Sequence, residues 1–245
     1  MAKLKKTMKK IGRQIWELFK SALPAMLMYF CAGSVLMMLT MQDAEAVQWD
    51  GTKLAWSLVC GIVAVAYNGF LGYAQGGTGY EMLVSGNLKR TSANEFGDGY
   101  KMSTHKEARE YRTWKGFVIG AFMGLFTIVT GIIFGCNQAM IDGKDLTTAM
   151  GVVVIVSFLI SGWSLLPFYF MNQTPGMSAN YFLSCLFAIV PIVVTGVMYI
   201  AGAYGRRNKV LREQEIADRA AKAEAEKVKK INYGGLPGTK PKKRK

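Results

Sequence analysis

One side-chain amide, Asn68, sits where hydrocarbon would surround it, and three more stand at the exits of uncharged runs. Asn68 lies within the run 54–74, which holds no charged residue, and Gln75 follows that run. Asn172 and Gln173 come just after a second uncharged run, 148–170. An unpaired amide in apolar surroundings is costly, so Asn68 should bond another helix, a water or a solute. Amides offer donors and acceptors without charge. That is the chemistry of a polar pathway rather than of bond breaking. The ordinary alternative for Asn68 is an interhelical hydrogen bond, with Gly76, Gly77 and Gly79 marking a turn. A second constellation is Ser161-Gly162-Trp163-Ser164 with Pro167 beyond it. Small polar residues and proline interrupt helices. The third is Gly116, Gly120 and Gly124, whose spacing lets one helix backbone approach another. It suits an inner helix of a bundle or a contact between copies.

Catalytic chemistry is poorly represented. All 16 Asp and Glu lie outside the uncharged runs, and there is one histidine, His105. A hydrolase needs an activated nucleophile beside a base, or a pair of acids. Cys31, Cys60, Cys136 and Cys185 are far apart and form no metal-ligand spacing. No enzyme activity, cofactor or metal is therefore expected. The lack of ionisable residues inside the runs also counts against a proton relay at membrane depth.

These residues must be positioned by five uncharged runs: 21–41, 54–74, 116–136, 148–170 and 181–204. Each is near the ~20 residues that cross a bilayer as a helix. The fold class is all-α, a polytopic helical membrane protein. The first run is too long for a cleaved signal and is expected to stay. Residues 1–20 read as a separate amphipathic surface helix. Leu4, Met8, Ile11, Ile15, Leu18 and Phe19 share one face; Lys3, Lys6, Lys9, Lys10, Arg13, Glu17 and Lys20 share the other. The bundle covers 21–204, with a polar loop at 75–115 and a kink at Pro191. Residues 205–231 read as a solvated basic helix and 232–245 as a disordered basic tail.

Charge sets the orientation. Lys and Arg gather in cytoplasmic segments. Residues 1–20 hold seven, 75–115 seven and 205–245 fourteen, whereas 42–53 and 137–147 hold one each, Lys53 and Lys144. Five full crossings would put the two basic ends on opposite sides. Three arrangements answer the conflict: the tail lies outside, the amino terminus lies outside at the cost of moving 14 Lys/Arg to the wrong side, or one run enters and leaves on the same face, which is preferred here. The run 148–170 carries the break for it, at Ser161, Gly162, Ser164 and Pro167. Irregular backbone at that depth must be buried in protein or line a cavity. A multi-pass cell-membrane protein with both termini cytoplasmic is expected.

Two functions follow from this reading. The first is a small permease-type component of a larger membrane complex, with Asn68, Gln75, Asn172 and Gln173 lining its path. The second is a non-catalytic scaffold whose basic ends, Lys240, Lys242, Lys243, Arg244 and Lys245 above all, grip anionic lipid or an acidic partner. Homo-oligomers and hetero-complexes both fit, and nucleic acid is disfavoured as a partner. The ten residues GTGYEMLVSG, Gly77–Gly86, resemble the cytoplasmic coupling stretch of ABC-2-type export permeases, without that family's charged lead-in. The resemblance implies a soluble ATPase docking at 75–115, since the chain has no phosphate-binding loop.

Overall fold

A computed structural model of the chain describes residues 2–41, 52–95, 109–143, 147–173 and 176–233. In order these form α1 (Ala2–Met41), α2 (Thr52–Glu95), α3 (Thr113–Cys136), α4 (Gln138–Asp142) and α5 (Thr148–Gln173). A 3-10 segment (Tyr181–Ala188) and α6 (Ile189–Tyr233) follow. Residues 1–203 pack as one unit and 204–245 as another.

Apolar chain without water must satisfy its backbone internally, and helix does so. Five helices among the described residues are long and apolar enough to cross a membrane. Their outward faces carry exposed Leu27, Ile62, Phe70, Leu125 and Val152. Water-soluble surfaces seldom gather such apolar area, and a bilayer would cover it.

The inward faces are small. Along α2 the buried positions include Ser57, Gly61, Ala64, Asn68, Gly72, Gly76 and Gly79, with no bulky side chain among them. Helices then meet backbone to backbone. A Cβ at Gly76 would fall on the Tyr199 carbonyl, and one at Gly202 on the Tyr73 carbonyl. The glycines of α3 face the same neighbour. A Cβ at Gly116 would lie 2.6 Å from Tyr199 Cβ, one at Gly120 2.5 Å from the Pro191 carbonyl, and one at Gly124 2.7 Å from the Ala188 carbonyl. Of the two uses open to this stripe, packing inside the bundle is the one observed.

Helix α5 does not run straight. Ser161 leaves helical geometry at φ −125°, ψ 20°. Phe158 and Tyr169 rings pack at 5.2 Å, yet a straight helix would separate these residues by about 16 Å along its axis. At its carboxyl end Asn172 bonds Asp142, only six residues before α5 begins. Met150 and Met171, from opposite ends of α5, pack on one cluster with Leu36 and Phe134. The helix therefore folds back at Ser161, and both its ends lie at the same end of the bundle. The break is deep. Trp163 packs on Tyr29 at 4.9 Å and shares a cluster with Met123, at the middle of α1 and α3. Gly162 makes the approach possible, because a Cβ there would lie 3.0 Å from Gly33 Cα.

Four expectations are corrected. Residues 1–20 are not a separate element, since α1 runs unbroken to Met41 with Pro24 inside it. The segment 75–115 is not a loop from its start, because α2 stays helical to Glu95. Its glycines mark tight helix packing instead of a turn. Pro191 produces no mid-helix kink, because it falls in the first turn of α6, where its missing N–H costs least. The irregularity lies upstream, in the 3-10 segment. The basic helix is longer than 205–231, since α6 extends to Tyr233. Its side chains from Leu211 to Lys227 are all exposed.

Candidate functional site

At the end of the bundle where α1 begins and α2 leaves, charge collects around a cleft of about 330 Å³. Glu17 is only 4% exposed. Its Oε1 pairs with Lys20 Nζ at 3.2 Å and its Oε2 with Arg109 Nε at 3.1 Å. A buried carboxylate needs such partners, since an unpaired charge there costs several kcal/mol. Both cations remain nearly half exposed, with side chains at 44% and 47%. Lys115, 2% exposed at the start of α3, donates to the Glu110 carbonyl at 2.6 Å. Residues 109–112 act as a strap. Tyr111 N donates to the Gly79 carbonyl of α2 at 2.9 Å, and the Tyr111 ring stacks on Tyr199 at 5.4 Å. Gln75 lines the cleft; its Nε2 donates to the Ser21 carbonyl at 2.7 Å, and its Oε1 is buried without a partner.

Asn68 lies two turns further along the same face of α2, about 10 Å deeper. It is 1% exposed, and its Oδ1 accepts from Thr195 Oγ1 of α6 at 3.1 Å. The interhelical bond is thus present, and it uses half of the amide. Asn68 also faces the Tyr29 hydroxyl of α1, and the two interact outside ordinary hydrogen-bond geometry, so neither Asn68 Nδ2 nor the hydroxyl is well satisfied. Ser161 Oγ at the break is likewise unpartnered, while Ser164 Oγ donates to the Ser161 carbonyl at 2.9 Å. Each buried unpaired group costs about 1–3 kcal/mol. Waters or a polar solute would remove that cost. Pro167 offers no N–H to the Trp163 carbonyl, and Gly61 of α2 packs beside that oxygen, with its would-be Cβ at 3.4 Å.

Asn172 and Gln173 are elsewhere, at the far end of the bundle. Asn172 Nδ2 donates to Asp142 Oδ2 at 3.3 Å, and Asn172 Oδ1 accepts from Ala179 N. The Tyr181 hydroxyl donates to Asp142 Oδ1 at 2.8 Å. This is a latch holding the end of α5 to α4, so Asn172 does not join Asn68 and Gln75 in one lining. Gln173 is half-buried at the last residue of α5. Lys240, Lys242, Lys243, Arg244 and Lys245 lie outside the described residues.

No protein-family model, curated protein or solved structure matches the chain. The likeness of Gly77–Gly86 to exporter coupling stretches gains no support from such a match, and these residues are helical, within α2. The geometry brings forward residues the sequence reading passed over. Glu17 had a signal, being the only acid in residues 1–42. Lys115 had one too, as the charge that borders a long apolar run. Asp142 and Tyr181 had none, since their pairing depends on where α5 folds back.

Proposed function

We propose that the chain is a permease-type membrane component with four crossing helices and one re-entrant hairpin, α5. The observation that carries this is the fold-back at Ser161 in the middle of the bundle. A buried helix break with unpartnered polar atoms is a recurring way to build a solute site in a membrane. The polar path runs from the charged cleft past Gln75 to Asn68 and Tyr29, and on to the break. The hairpin returns the tail to the side of the amino terminus. All three Lys/Arg-rich segments then share the cytoplasm, and Lys53 and Lys144 stand alone outside. Among the described residues no Asp, Glu, Lys, Arg or His lies along the inner path between Gln75 and the break, which suits a neutral or dipolar solute.

The test uses single cysteines in a full-length chain whose four native cysteines are replaced. Cysteine at position 75 or 68 should react with a hydrophilic thiol reagent from the cytoplasmic side. Cysteine at position 62, where Ile62 faces outward, should stay unreactive. Equal protection of 68, 75 and 62 would remove the path.

A further inference from the structure

We infer that the charged cleft binds a phosphate ester that also carries a hydroxyl, and that its source is the glycerophosphate headgroup of an anionic lipid. The inference goes beyond the proposed function: the lipid binds at the mouth of the proposed path and is not the neutral solute assigned to it. Three observations carry it. First, Glu17 is a buried acid whose two oxygens each hold a different cation, Lys20 from its own helix and Arg109 from the strap. One carboxylate thus orients two positive groups about one opening, and the trio keeps a net charge of +1. Secondly, Arg109 pairs through Nε alone among the described residues. Its two terminal nitrogens form the fork that matches two oxygens of a phosphate. Thirdly, Gln75 Oε1 is a buried acceptor with no donor, and Gln75 lines the same cleft. An anion alone would leave it unsatisfied. A ligand with both phosphate oxygens and an O–H satisfies the cations and this oxygen together.

The remaining lining favours a lipid over a soluble ester. Leu18, Ala74, Met82 and Ile119 are apolar and share the cleft with the charges. Trp16 and Phe19, stacked at 5.7 Å, stand on the same stretch of α1. A diacyl chain leaving the cleft has apolar surface to follow, and a small hydrophilic ester does not.

The experiment is mass spectrometry of the purified full-length chain released from detergent, with short-chain lipids added. Dioctanoyl phosphatidylglycerol should give one bound lipid per chain, in preference to dioctanoyl phosphatidylcholine. Arg109→Gln and Lys20→Gln should each weaken it about tenfold or more, the usual scale for losing a charge-assisted bond. Gln75→Leu should keep anionic lipid but lose the preference for phosphatidylglycerol over phosphatidylmethanol, which lacks the hydroxyl. Far-UV circular dichroism checks that each variant is still helical. Binding of glycerol 3-phosphate as tight as that of the dioctanoyl lipid would overturn the lipid source, and binding at least about tenfold weaker supports it. Equal binding of all the lipids, or binding indifferent to both charge variants in helical protein, would overturn the site. The measurement is independent of the cysteine test above, so a sealed path with intact lipid selectivity would remove the permease reading and leave this one.

Discussion

The glycines of α2 and α6 give the sharpest test at the residue scale. Gly76 and Gly202 sit where backbones touch, so any side chain must displace a carbonyl. Gly76→Ala should lower the thermal stability of the detergent-solubilised protein by about 1–3 kcal/mol, the range for overpacking a close contact. Gly12 and Gly151 are helical with nothing within 4 Å of a would-be Cβ. Alanine there should be neutral or stabilise by up to about 1 kcal/mol. A Gly76→Ala protein as stable as Gly12→Ala would mean that α2 and α6 do not meet as described. Small residues at helical spacing were visible in the sequence for α3, because Gly116, Gly120 and Gly124 repeat strictly. On α2 the same device was read as a turn, since Gly76, Gly77 and Gly79 are crowded and only packing partners distinguish a tight crossing from a break.

The hairpin of α5 is the claim that belongs to the element scale. Phe158 and Tyr169 face each other across the break at Ser161. Cysteines at these two positions, with the four native cysteines replaced, should form a disulfide readily on mild oxidation. A straight α5 would hold them about 16 Å apart, beyond disulfide reach. A thiol pair that never cross-links while the protein stays helical would contradict the fold-back. The break itself was legible, since Ser161, Gly162 and Pro167 interrupt an apolar run, and a non-crossing run is one of the three arrangements that reconcile the charge counts. The latch was not. Asn172 was read as a path residue because an amide beyond an apolar run looks the same in either role. Only Asp142 and the Ala179 N–H, brought up by the fold-back, give it a structural one. Glu17 shows the converse limit. It lies on the polar face of an amphipathic pattern, and helical periodicity cannot reveal that Arg109, 92 residues later, covers it.

Over the whole molecule, the proposed path and the distribution of charge belong together. In the proposed topology, with α5 turned back, four helices would cross and both basic ends would face one compartment. The segments with seven, seven and fourteen Lys/Arg would then lie together, against one each in 42–53 and 137–147. Such a bias is what fixes orientation in a membrane. With five crossings the tail would stand alone on the opposite side, and the buried break in α5 would have no topological purpose. The most direct measurement fuses a reporter active only in the cytoplasm after Lys245, beside a matched fusion to a reporter active only outside. The account predicts that the cytoplasmic reporter is active at both the amino and carboxyl ends. Activity of the outside reporter at Lys245, with the amino terminus cytoplasmic, would contradict the re-entrant hairpin and with it the proposed path.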